Sequence, residues 1–133
     1  MFFKVGDKKC LKKIFSQEEV DIFSKISMDS NKIHFDNEYC VTTRFGKPIV
    51  QGPYLTSLIG GVIGSHIPGE GAIYLSQNTN FKKPIYIGEP IEILVEITDF
   101  DEQKNIIKLQ TTVVKGNNIL AIEGTAIILY LKN

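Results

Sequence analysis

The sequence predicts an α+β domain in which one enclosed helix lies against a long antiparallel sheet. Three observations lead there. From Ala72 onward apolar residues recur with period two through four segments: Ala72–Phe81, Ile91–Phe100, Asn105–Lys115 and Ile119–Leu131. Gly116-Asn117-Asn118 separates the last two as a hairpin turn, and strands joined by short turns pair antiparallel. In the first half, Tyr54–His66 is apolar almost all the way round, with Leu55, Leu58, Ile59, Val62 and Ile63. A helix without a polar face must be covered, and a sheet that wraps it is the cover available.

The remaining elements follow in chain order. Lys8–Phe15 alternates imperfectly and reads as a first strand whose lysines protect an exposed edge. Ser16-Gln17-Glu18-Glu19 is a capping box: the Ser16 hydroxyl accepts from the Glu19 amide, and the Glu19 carboxylate reaches back to the Ser16 amide. Val20, Phe23 and Ile26, with Ile22 beside them, give an amphipathic helix that stops near Met28, where Asp29-Ser30-Asn31 supply turn chemistry. A short helix is expected over Glu38–Arg44, capped by Asn37 and stopped by Gly46. Pro48–Pro53 is an extended approach, with Pro53 suited to the first helical position. Gly60, Gly61 and Gly64 lower the propensity of the helix that follows, and close approach by a neighbouring backbone is the expected return. Pro68-Gly69-Glu70-Gly71 ends it.

Length and composition restrict the function classes. The 133 residues suit a single domain spanning 1–133. Fifteen basic and fifteen acidic side chains cancel, so no net field gathers nucleic acid or anionic lipid, and neither partner is expected. The longest apolar stretch, Leu58–Gly64, contains three glycines and is too short to span a bilayer; the start, from Met1, lacks the apolar core of a signal peptide. Cys10 and Cys40 read as reduced, semi-buried thiols, and a cytoplasmic protein is expected. Two histidines and two cysteines, scattered without ligand spacing, give no reason to expect a metal.

One segment carries chemistry. Asp29-Ser30-Asn31-Lys32-Ile33-His34 places a carboxylate and an imidazole five residues apart on a polar turn after a helix. An acid and a base held in one loop can share a water. Spacing alone favours the plainer reading, two helix-exit turn residues, Asp29 and Asn31, and an ordinary surface or packed histidine. His66 reads as a helix-terminal histidine that satisfies last-turn carbonyls.

Taken together and in order, Asp29–His34, Phe-Gly-Lys-Pro-Ile-Val-Gln-Gly from Phe45 to Gly52, and the run from Ile73 to Ile91 resemble one family, the MaoC-like hydratases, and within it the (R)-specific enoyl-CoA hydratases. The resemblance extends from about Val5 to Leu131. It implies a hot-dog fold, a long helix wrapped by an antiparallel sheet. It also implies a homodimer joined sheet edge to sheet edge, or a higher homo-oligomer, with the acyl tunnel near the interface. The implied activity is reversible hydration of a trans-2-enoyl thioester to the (R)-3-hydroxyacyl thioester, a lyase of fatty acid metabolism. The enoyl- or 3-hydroxyacyl-CoA is the substrate and no cofactor is expected. Carried over, Asp29 and His34 are catalytic and the Gly52 amide meets the thioester oxygen; Asn31, which lies between the pair in sequence, is a secondary candidate to orient one of them. Gln51 is a candidate substrate contact. Lys82 and Lys83, beside Pro84, are candidates for the phosphates of coenzyme A, or simply two solvated lysines at a strand end.

Three positions depart from the family's usual pattern. Lys32 stands where proline is common, Gln51 where histidine is common, and Pro53 where methionine or a similar residue is common. Two other functions compete. A hot-dog thioesterase commonly uses a carboxylate on or near the central helix, and no Asp or Glu occurs between Glu38 and Glu70. A non-catalytic acyl-binding subunit would be favoured by loss of Asp29 or His34, and both are present.

Overall fold

The computed structural model describes residues 3–131, so Met1 and Phe2 of the N-terminal reading lie outside the described residues. Five strands form one antiparallel sheet: β1 (Lys8–Lys13), β2 (Ala72–Phe81), β3 (Ile91–Asp101), β4 (Ile106–Lys115) and β5 (Ile119–Tyr130), in the order β1-β3-β4-β5-β2. The four strands read from period two are present, with ends shifted by at most one residue. The period decides the inner face. Ile91, Ile93, Val95 and Ile97 of β3, Ile107, Leu109 and Val113 of β4, and Ile122, Ala126 and Ile128 of β5 are all buried. They face α3 (Gly52–Ser65), whose Leu55, Ile59, Val62 and Ile63 complete the core. The sheet wraps the helix as expected, and this is the hot-dog arrangement.

Gly124 is required where β5 meets β2. A Cβ there would lie 1.8 Å from the Asn78 carbonyl oxygen, a distance no side chain tolerates. At the other edge, β1 sets Lys8 opposite Glu96 and Lys12 opposite Glu92, with ion pairs of 3.8 and 3.9 Å. Such exposed pairs contribute little stability and serve mainly to keep the edge charged.

The helices bring corrections. α1 (Gln17–Ser27) has both halves of its capping box and ends at Met28 in the left-handed conformation, φ 62°. Its apolar stripe is only half used: Val20 is buried and Phe23 stacks on Tyr54, with centroids 4.7 Å apart, but Ile22 and Ile26 are exposed. α2 (Asn37–Val41) is capped by Asp36 rather than Asn37, because the Asp36 carboxylate reaches the Tyr39 amide at 3.0 Å. It stops before Arg44, where Thr42 and Thr43 turn their hydroxyls onto the carbonyls of Tyr39 and Cys40. α3 begins two residues earlier than expected, so Pro53 is its second residue and Gln51 its cap. Nor is it covered all round: Ser57, Gly61 and Gly64 are exposed. Of the three glycines only Gly60 is approached, by the Tyr74 ring rather than a backbone, while space beside Gly61 and Gly64 is open.

Cys40 is fully buried and Cys10 exposed, rather than both being semi-buried, and neither is bonded in a disulfide. The backbone amide of His66, not its ring, closes α3 onto the Val62 carbonyl. No helix among the described residues is long and apolar enough to cross a membrane.

Candidate active site

The site is assembled from the end of α1, the turn after it and the approach to α3. Met28 reverses the chain, and the amides of Met28 and Asp29 both donate to the Ser24 carbonyl. Asp29 then accepts the Asn31 amide on Oδ1 at 3.0 Å, the turn chemistry expected of an aspartate at this position. Asn31 repeats the device: its Oδ1 accepts from the Ile33 amide at 3.1 Å and caps a short 3₁₀ turn, Lys32–His34. Asn31 therefore shapes the loop through the backbone and does not touch the His34 ring. The outcome is that His34 folds back toward Asp29.

His34 is buried and held from both sides. Its Nδ1 lies 2.8 Å from the Ile49 carbonyl, and its Nε2 lies 3.4 Å from Asp29 Oδ2. A carbonyl only accepts, so Nδ1 carries a hydrogen, and in the neutral form of the ring the lone pair is at Nε2. The two oxygens of Asp29 divide the work, Oδ1 holding the loop and Oδ2 facing the ring. A neutral Nε2 and a carboxylate are both acceptors, so at this separation neither satisfies the other. A water that donates to both would satisfy them.

Ile49 connects the pair to a cavity. Its amide donates to the Ile33 carbonyl at 3.1 Å, and its side chain lines a cavity of about 250 Å³ shared with Gly52, Leu55, Phe81, Lys83 and Arg44. Asp29 and His34 do not line this space; His34 stands one hydrogen bond away, on the Ile49 carbonyl, with Asp29 on the far side of its ring. Gly52 is the first residue of α3, where amides lack helical partners and the helix dipole is positive. Its amide donates to no acceptor among the described residues. A Cβ on Gly52 would come 3.0 Å from the Phe81 ring, so a side chain here would crowd that ring.

The basic candidates separate. Lys82 is paired with Glu123 at 3.1 Å, whereas Lys83 has no acidic partner among the described residues. Arg44, exposed at the rim of the same cavity, was not singled out in the sequence; the available signal was a cation directly before the Phe45–Gly52 stretch. Gln51 is corrected. It is fully buried, and its Nε2 donates to the Val20 carbonyl and to Ser24 Oγ, both at 2.9 Å. It points at α1, which packs across the start of α3, and not into the cavity. Cys40 lies beneath the loop with Sγ 3.5 Å from the Ile33 carbonyl; burial, then the nearby Asp36 charge, pushes its thiol up. It stays protonated and is no nucleophile. Among the described residues no group of three His, Cys, Asp or Glu side chains is arranged to hold a metal. A larger open depression on the outer face of the sheet, about 690 Å³ and lined by Ser76, Asn78, Lys108 and Gln110 among others, contains none of the candidates.

Comparison with known proteins assigns the lineage. The profile of the MaoC like domain matches residues 7–118. The chain belongs to the MaoC-like family. Within that family it is 39% identical over 125 residues to the (R)-specific enoyl-CoA hydratase of Aeromonas caviae, covering 94% of this chain and 93% of the relative. It is 34% identical over 125 residues to the 3-hydroxybutyryl-CoA dehydratase of Methylorubrum extorquens, covering 94% of this chain and 79% of the relative. The solved structure of the (R)-hydratase from A. caviae involved in PHA biosynthesis superposes with a TM-score of 0.93 at 38% identity, covering 97% of this chain and 98% of the other. These MaoC-like relatives carry their names along nearly the full length of the present domain. The thioesterase and the acyl-binding subunit find no support among them.

Proposed function

We propose that this MaoC-like protein hydrates trans-2-enoyl-CoA to (R)-3-hydroxyacyl-CoA, and dehydrates the product in reverse, with Asp29 and His34 activating one water. The observation that carries the reading is the opposed geometry of the pair. The Ile49 carbonyl fixes the tautomer of His34, leaving Nε2 free and aimed at the oxygen of Asp29 that the loop does not use.

The chemistry follows from these groups. Water is a weak nucleophile, and the alkene is activated only by conjugation with its carbonyl. The water oxygen bonds to C3 as one of its protons passes to the pair. The electrons of the double bond move toward C2 and the thioester oxygen, where negative charge gathers. The Gly52 amide is the donor for that charge, an interaction whose removal elsewhere lowers rates by about 10²–10³-fold. Return of the proton to C2 completes addition of H and OH. Positioned acid–base help of this kind is worth roughly 10²–10⁴-fold. The (R) product is the outcome named for the A. caviae relative.

Carrier recognition is assigned to Arg44 and Lys83 at the cavity rim, with Lys82 contributing less because Glu123 already engages it. We also assign a homodimer. β2 is an edge strand that exposes Ile73, Leu75 and Phe81 and lacks the charges that protect β1, and Phe81 covers Gly52. Free Cys10 and Cys40 fit a reducing cytoplasm.

The test offers crotonyl-CoA and follows two signals, absorbance of the conjugated double bond and release of free thiol. Hydration predicts loss of the first without the second, and chiral analysis of the product should return the (R) isomer. Thiol release, or no change in either signal, would sink the proposal.

A further inference from the structure

The segment Ile49–Gly52 touches every part of the site. The Ile49 carbonyl holds His34, Gly52 lines the cavity, and between them the Gln51 side chain runs to the end of α1. There it donates to Ser24 Oγ at 2.9 Å, while the Ser24 carbonyl accepts the Asp29 amide at 3.1 Å. We propose that Gln51 is a positioning residue: acting through Ser24, it sets Asp29 at its distance from His34 and ties both to the amide of Gly52. The inference rests on the hydratase reading and deepens it, because it assigns one segment to the alignment of acid, base and oxyanion donor.

The bonding of Gln51 argues for geometry over stability. Its Oε1 is buried with no partner among the described residues. The Val20 carbonyl it meets already belongs to the hydrogen-bond ladder of α1, and Ser24 is only partly buried. Neither acceptor needs Gln51. A leucine of similar volume would fill the site without an orphaned oxygen. What the amide adds is a directed tether between α3 and α1, spanning 31 positions of sequence, at the turn of α1 from which Asp29 hangs.

The experiment compares Gln51→Leu, Gln51→His, Ser24→Ala and the double variant Gln51→Leu/Ser24→Ala in crotonyl-CoA hydration. Displacement of a reacting group by about an ångström can cost on the order of 100-fold. Gln51→Leu is therefore expected to lower kcat by roughly 10–100-fold, with KM within about twofold of wild type. Ser24→Ala should fall in the same direction, and the double variant should be no worse than Gln51→Leu alone, since both break one tether. Gln51→His, which restores an N–H in that direction, should recover most of kcat. If Gln51→Leu is poorly folded, Ser24→Ala carries the kinetic test by itself. Amide NMR shifts supply a readout independent of turnover: Gln51→Leu should move the signals of Met28, Asp29 and Asn31. Unchanged kcat and unmoved signals would overturn the inference. So would a rise in KM matching the fall in kcat, which would put Gln51 against substrate, or a double variant whose losses multiply. A wild-type protein without hydratase activity would instead defeat the functional reading, and the NMR comparison would still decide on the tether.

Discussion

Asp29→Asn removes one charge and almost nothing else, and the structure says how the new side chain must lie. Oδ1 of residue 29 accepts the Asn31 amide at 3.0 Å, and only an oxygen can do that. The asparagine is therefore held with Oδ1 where it was and Nδ2 in place of Oδ2. That nitrogen stands 3.4 Å from His34 Nε2 and directs a hydrogen at the lone pair. The variant thus deletes one base and caps the other. A single acid–base contribution is worth roughly 10²–10⁴-fold, so about 10³-fold is expected in kcat/KM, near 4 kcal/mol of transition-state stabilisation. Folding should hardly notice. The Asp29 side chain is 35% exposed, and a contact at that exposure is worth about 1 kcal/mol or less. His34→Ala is the poorer probe, because it also strips the Ile49 carbonyl of its donor, a loss of about 1–3 kcal/mol. The assay is initial-rate hydration of crotonyl-CoA beside urea denaturation of the same preparations. Asp29→Asn with a tenth or more of wild-type kcat/KM would refute the water-sharing geometry. A large loss of stability would refute the division of labour between the two oxygens.

Other outcomes follow from single contacts. Arg44→Ala/Lys83→Ala should raise KM for crotonyl-CoA by about fivefold or more, and leave KM for the phosphate-free crotonyl N-acetylcysteamine thioester alone, because charge at the rim acts on phosphate; equal effects on both substrates would remove the phosphate assignment. Gly124→Ala drives a methyl group to 1.8 Å from the Asn78 carbonyl oxygen, so β2 and β5 must part. Denaturation should register about 3 kcal/mol or more, and a change under about 1 kcal/mol would mean the strands pass farther apart than described. Glu19 is held below the usual glutamate range by the Lys13 side chain first and the Ser16 amide second. A lowered folded-state value adds stability that is complete above the unfolded value, about 4.5, and disappears as pH falls through the folded one. Glu19→Gln should therefore be less stable than wild type at pH 7, with the gap closing as pH falls below 4.5; a gap that stays constant into acid would contradict this.

Much of the fold was legible because its instructions are local. The period-two run Ala72–Phe81 matches β2 residue for residue, and Ser16 to Glu19 spells out a capping box that forms. Each depends on residues within a few positions of one another, where sequence spacing and spatial spacing are the same thing. The order Asp29, Asn31, His34 marked a polar turn by itself, and it pointed to site chemistry only in company with Phe45–Gly52 and Ile73–Ile91. Coverage was less legible. α3 looked apolar almost all the way round because glycine and serine carry no strong preference, yet Ser57, Gly61 and Gly64 form a wet face.

What the sequence determined by itself is the set of elements, the wrapped-helix architecture and the short loop that pairs a carboxylate with an imidazole. Tertiary structure alone decided what surrounds that pair. The carbonyl that selects the tautomer of His34 lies 15 residues away, and the helix that receives Gln51 lies 31 residues away. Backbone carbonyls are the same in every residue, so no side-chain pattern marks which of them will meet an imidazole. Only the packing of α1 across the start of α3 brings these groups within hydrogen-bonding reach.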